Sequence, residues 1–154
     1  MATSGLVIMA LNKTAQSHLA KQFEKRQVKK IYIALVWGSP EQEKGLVDLP
    51  LICDWPNRPL QKVDFEHGKP SQTHWHILER EANQTRIELT PITGRSHQLR
   101  VHMKELGCPI LGDEFYAHEQ ALNAANRLCL NAEKLQITHP KSEEVMQFQD
   151  TCPF

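Results

Sequence analysis

Arg95, His97, Arg100 and His102 crowd one short stretch directly behind the turn-forming pair Thr93–Gly94. The intervening Ser96, Gln98, Leu99 and Val101 suit a helix beginning at Ser96. A helix start leaves backbone N–H groups without partners, and guanidinium groups beside them complete a site for an anion. The chemistry these residues offer is recognition of a phosphate or a carboxylate. Taken alone, they describe a small domain that binds some anionic ligand at this helix start.

Eight histidines raise the question of a metal. His74 and His76 lie two apart in a strand and share a face, whereas His97 and His102 lie five apart on a helix and diverge. No third ligand follows at metal-site spacing and no His-Glu-x-x-His occurs, so no metal is expected. Four cysteines, Cys53, Cys108, Cys129 and Cys152, are scattered without a close pair. With no secretory leader and no apolar run of bilayer length, the sequence reads as cytoplasmic, with reduced thiols and no membrane contact. Lysine plus arginine equals aspartate plus glutamate at 18 each, so no global charge drives the chain onto polyanions. Local basic patches remain at Lys21 to Lys30 and at Arg95 with Arg100, although such a run is more often the solvated end of a helix.

Several elements must position these groups. The apolar run Leu6 to Leu11 reads as a buried strand. Asn12 fits the N-cap of a helix from Lys13 to about Arg26, with Leu19, Ala20 and Phe23 at helical spacing. Lys30 to Trp37 is β-branched and aromatic and ends at Gly38–Ser39–Pro40, a strand with a turn behind it. Residues 45–70 carry short strands and loops, and Thr73–Arg80 with Thr85–Thr90 forms an antiparallel hairpin. The central helix runs from Ser96 to Leu106 and stops at Gly107, with Pro109 beyond. A short helix covers His118 to Ala125, and Leu128–Thr138 and Val145–Gln149 are closing strands. The pattern predicts an α+β fold, a mixed and largely antiparallel sheet with flanking helices, as one domain spanning residues 1–154. At 154 residues and 40% hydrophobic the chain can bury a real core.

The string Gly94–Arg95–Ser96–His97–Gln98–Leu99–Arg100, with His102, then Pro109–Ile110, Gly112–Asp113 and Tyr116, resembles the signature of the RluA-type RNA pseudouridine synthases. Thr3–Ser4–Gly5–Leu6, Lys30–Ile31–Tyr32–Ile33–Ala34 and Gly68–Lys69–Pro70–Ser71–Gln72–Thr73 match further blocks of that family in the same order. The resemblance implies an isomerase that converts uridine to pseudouridine in structured RNA, without cofactor or metal. It gives Tyr32 to the target base and to proton transfer, and Arg100 to pairing with the catalytic aspartate. Leu99 then supplies apolar packing, and Arg95 and His97 support the loop or contact a phosphate. Without the resemblance, Tyr32 reads as a half-buried core aromatic and Arg100 as a surface charge or a salt-bridge partner. Asp113 reads as a turn or capping residue and not as a replacement nucleophile. Residues 46–59 resemble the dual-specificity branch, whose RNAs are 23S-type large-subunit rRNA and the tRNA anticodon stem-loop.

In this family the nucleophilic aspartate precedes the Thr-Ser-Gly block, a position that falls upstream of Met1. The chain therefore reads as the C-terminal part of the catalytic domain. Residues 1–154 are expected to be inactive as they stand, with Arg100 left without an anionic partner. They are also expected to present a sheet edge and apolar side chains around Leu6, Ile8 and Val36, hence to be marginally stable or to hide the edge by self-association. The alternatives are an RNA-modifying enzyme, a catalytically inactive RNA-binding fragment, and an anion-binding α+β domain.

Overall fold

The computed structural model describes residues 2–154. Its main sheet is built around β2 (Lys29–Trp37), which pairs antiparallel with β7 (Gln84–Pro91) on one side and β8 (Leu130–Thr138) on the other. Beyond β7 come β6 (Gln72–Arg80) and then β3 (Lys44–Asp48) at the edge, both antiparallel. The far side of β8 is shared. β1 (Ser4–Gly5) runs parallel to it along Asn131–Ala132, and β9 (Val145–Gln149) antiparallel along Lys134–Thr138. β4 (Leu51–Cys53) and β5 (Gln61–Val63) form a separate two-stranded sheet. The helices are α1 (Lys13–Glu24), α2 (Gln98–Glu105) and α3 (Glu119–Asn123). The architecture is thus α+β on a mixed, largely antiparallel sheet, as expected.

Strand periodicity decides what the sheet buries. Along β7, Thr85, Ile87, Leu89 and Pro91 alternate inward, and on β6 Thr73, Trp75 and Ile77 do the same. With Ala34 and Val36 of β2 these side chains meet Leu99 and Met103 of α2 and the loop residues Ile110 and Leu111. The other side of α2 presents Val101 to Leu51 and Tyr116, with Leu60 and Val63 of the small-sheet region alongside. Packed from two sides, α2 buries every residue from Gln98 to Met103. An amphipathic surface helix would bury one stripe only, so each polar residue of α2 must find a partner inside the protein.

α2 starts at Gln98, later than expected, because His97 sits in the left-handed region at φ 53 and cannot belong to a helix. At the other end Gly107, at φ +85, donates its N–H to Lys104 O at 2.9 Å, as a glycine cap should. α1 is capped as anticipated: Asn12 accepts from Ala15 N at 2.8 Å. Leu19 and Gln22 are its buried residues, while Ala20 and Phe23 are exposed. The Gln22 amide acts as a one-residue strand partner. It donates to Thr138 O at 2.7 Å and accepts from Thr138 N at 2.8 Å, which holds α1 against the end of β8.

The run Leu6 to Leu11 is not a buried strand. Pairing with β8 covers Ser4 and Gly5 and ends with Leu6 N donating to Ala132 O at 2.9 Å. From Lys134 onward the same edge of β8 is occupied by β9, so the chain has no edge left to follow. Gly5 makes the turn-off at φ +96, where an added Cβ would collide with Ala132 O. Past it Ile8 tucks against Leu19, Val28 and Ile137, but Val7, Met9 and Leu11 are 65%, 79% and 95% exposed. Val36, expected at an uncovered edge, is fully buried.

Candidate active site

Where α2, β2 and the 93–96 turn converge, the surface opens into a cleft of about 420 Å³. Tyr32, Leu99, Arg100, Arg95 and His97, from distant parts of the sequence, all line it. Among its lining residues Leu99, Arg100 and Leu130 are buried, whereas Gly94 and Arg95 are exposed at the rim. Tyr32 enters from β2, held by pairing to Leu89 and Ala132 on either side. Burial pushes its phenol pKa up, so it is neutral at pH 7. Its hydroxyl makes no hydrogen bond among the described residues. No buried side-chain oxygen or nitrogen among them lacks a partner, so this hydroxyl is accessible to the cleft.

Arg100 has an anionic partner, contrary to the sequence expectation. Its Nε donates to Asp113 Oδ2 at 2.9 Å and its Nη2 to Asp113 Oδ1 at 2.5 Å, a bidentate pair with Asp113 completely buried. Asp113 Oδ1 also accepts the backbone N–H groups of Phe115 and Tyr116, at 3.0 and 3.2 Å. Asp113 is therefore a turn residue, as read, and in addition the group that orients Arg100. The guanidinium lies 5.0 Å from the Phe115 ring centroid and 5.3 Å from that of Tyr116. Nη1 makes no hydrogen bond among the described residues and is solvent-accessible, and Arg100 lines both this cleft and a neighbouring one.

Gln98 pins the rim turn to the sheet. Its amide oxygen accepts from Thr93 Oγ1 at 2.7 Å and Arg95 N at 3.0 Å, and its amide nitrogen donates to Gln72 O at 2.9 Å. The same nitrogen donates to Thr73 Oγ1 at 3.0 Å, and Thr73 Oγ1 lies 2.9 Å from His102 Nδ1. His102 Nε2 reaches Leu49 O at 3.0 Å. A carbonyl only accepts, so Nε2 carries the proton and Nδ1 accepts from Thr73. His97 Nδ1 lies 2.6 Å from the Tyr116 hydroxyl, whose oxygen accepts from Gln61 N at 2.9 Å. The direction of the His97–Tyr116 hydrogen bond follows the imidazole tautomer. Burial first, and the Arg100 charge second, lower the His97 pKa and keep its ring neutral. Arg95 projects at the rim, its Nε donating to Pro70 O at 3.3 Å.

Asp113, Gln98 and Lys30 belong to the site although sequence reasoning gave them no role in it. For Asp113 and Gln98 the available signal was a polar side chain inside a motif whose helix is buried all round. A neighbouring cleft of about 620 Å³ shares His97 and Arg100 and is walled by Phe115 and Arg127. The shallow depression beside His74 and His76 lies on the opposite face of the sheet, with Lys44 and Glu88. Among the described residues no three His, Cys, Asp or Glu side chains gather as metal ligands.

The family model described as RNA pseudouridylate synthase matches residues 1–105. The chain is 57% identical over 155 residues to the dual-specificity RNA pseudouridine synthase RluA of Salmonella typhi, covering 100% of this chain and 71% of that one. Against RluA of Yersinia pestis it is 55% identical, covering 75% of that protein. The structure of human RNA pseudouridylate synthase domain containing 1 superposes with a TM-score of 0.85 at 29% identity, over 99% of this chain and 66% of that one. A match of this extent places the chain in the RNA pseudouridylate synthase family.

Proposed function

We propose that the cleft receives a uridine flipped out of a structured RNA and serves its conversion to pseudouridine. In that reaction the C1′–N1 glycosidic bond breaks, the uracil turns, a C1′–C5 bond forms, and the C5 proton is lost while N1 gains one. The observation carrying this reading is the convergence of Tyr32, Leu99 and Arg100 on one cleft of about 420 Å³. Tyr32, a neutral phenol with a free hydroxyl, lies against the base and relays a proton. Leu99 packs on the ring. Arg100 offers Nη1 to the carboxylate or phosphate of the reacting centre, held by Asp113 from behind. Arg95 and His97 guide the RNA at the mouth. Flipping costs a few kcal/mol of unstacking, which a closed pocket partly offsets.

The substrates we assign are large-subunit rRNA and the tRNA anticodon stem-loop, supported by the dual specificity printed for the RluA relatives. The cytoplasm is the corresponding setting. Self-association through the β1 edge belongs to the same reading. A narrower second reading, RNA binding without turnover by residues 1–154, is favoured by one observation: no Asp or Glu lines the cleft among the described residues. Both readings are tested with a uridine-containing anticodon stem-loop, following binding by anisotropy and product by digestion and mass spectrometry. The wild-type chain should bind. Y32F should bind within about twofold and lower any turnover by about a hundredfold or more, the usual worth of a proton-transfer group. Failure of the wild-type chain to bind would sink both readings, and an unchanged turnover in Y32F would remove Tyr32 from the proton transfer.

A further inference from the structure

Lys30 stands two residues before Tyr32 on β2 and, by the two-residue period of a strand, projects from the same face. It lines the cleft with Tyr32. Its stem is partly buried, and its Nζ lies 5.8 Å from the Phe23 ring centroid. No carboxylate among the described residues comes within ion-pair distance of it, and Nζ makes no hydrogen bond. A Cβ added at Gly94 would lie 3.3 Å from Nζ, so the ammonium rests against the exposed turn that carries Arg95. Gly94 leaves the room in which the ammonium sits.

Exposure sorts the polar groups of the cleft. Arg100 is buried, Tyr32 and Lys30 are half-buried, and Arg95 is exposed, with the Lys30 ammonium lying against the exposed turn at Gly94. A nucleotide that inserts its base towards Leu99 and Arg100 leaves its sugar-phosphate at the mouth. We propose that Lys30 is a phosphate-binding residue, its ammonium gripping, together with Arg95, a backbone phosphate flanking the flipped nucleotide. This rests on the reading of the cleft as a uridine site. A compact ammonium with rotatable donors and no internal partner suits a phosphodiester, which asks for charge more than for a fixed hydrogen-bond angle. Desolvation alone lowers the Lys30 pKa, with no counter-charge contributing, and an arriving phosphate would supply that charge.

The test is the salt dependence of binding to a uridine-containing RNA stem-loop, measured for wild type, K30M, K30R and the exposed neighbour variant K29M. Methionine preserves the buried stem, and melting curves verify the fold. Losing one phosphate contact should weaken binding about three- to tenfold and flatten the slope of log K against log salt by roughly 0.7–0.9. K30M should show both effects, while K30R and K29M stay near wild type. An independent arm uses wild-type protein and RNA whose phosphates flanking the uridine are replaced by neutral methylphosphonates. Affinity should fall for wild type and little further for K30M. Weaker binding by K30M with an unchanged slope, or indifference of wild type to the neutral RNA, overturns the assignment and leaves the uridine site standing. No RNA binding by wild type overturns both.

Discussion

Arg100 and Tyr32 meet the cleft in opposite electrical states, one a fixed cation and the other a phenol kept neutral by burial. The cation is costly to hold inside a protein, and Asp113 is what makes it tolerable. A buried pair contributes little over an apolar replacement, but breaking one side leaves an uncompensated charge. D113N should therefore destabilise the chain by about 3 kcal/mol in urea denaturation, more than an exposed acid such as Glu143 would on replacement by glutamine. The loss should be accompanied by weaker RNA binding, since the amide no longer fixes the guanidinium plane. If D113N melts and binds like wild type, the pair carries neither the stability nor the orientation assigned to it.

At the scale of elements, α2 is the organising piece, because its buried polar residues tie the rim turn, the sheet and the small sheet together. His102 shows the cost in pH dependence. It is fully buried, with its Nε2 proton committed to Leu49 O, and burial pushes its pKa below the ordinary imidazole value of 6.5. Above that value both folded and unfolded forms are neutral. Below it the unfolded chain takes up a proton that the folded chain refuses, so stability declines as pH falls from 6.5 towards the lowered folded value. The urea midpoint should drop between about pH 7.5 and pH 5.5, and H102Q should flatten that portion of the profile. A wild-type midpoint constant over that range would contradict the account.

Much of this organisation was legible beforehand. Alternation identified β6, β7 and β2, Asn12 identified the start of α1, and Gly107 the end of α2. What stayed hidden was non-local or polar. Nothing in the run Leu6 to Leu11 says that β9 already occupies the rest of the β8 edge. The burial of Gln22, Gln98 and Asp113 was not legible, because burial of a polar group becomes visible only with its partner. The cleft residues that the family motifs marked do converge, yet Asp113 as the partner of Arg100 required coordinates.

For the molecule as a whole, the exposed segment after β1 is the feature that sets behaviour in solution. Val7, Met9 and Leu11 are exposed apolar side chains in the segment that follows the terminal strand of the sheet, the kind of surface that recruits a second chain. Residues 1–154 should self-associate in sedimentation at tens of micromolar, and replacing Val7, Met9 and Leu11 by serine should return a monomer without lowering the melting temperature. Ile8, which packs between α1 and β8, is left intact by that design. A wild-type chain that stays monomeric at those concentrations would end this expectation.

The bidentate grip of Asp113 on Arg100 also bears on the kinetics of encounter with RNA. A long charged side chain ordinarily loses rotational freedom when it meets its ligand, and that loss weakens the complex. Here the loss is incurred once, when the chain folds, because Nε and Nη2 are already fixed. On the proposed uridine reading, an arriving nucleotide meets a guanidinium whose plane is already set. The slow event in association then belongs to the RNA, which must unstack its uridine, and the protein waits with its guanidinium already set.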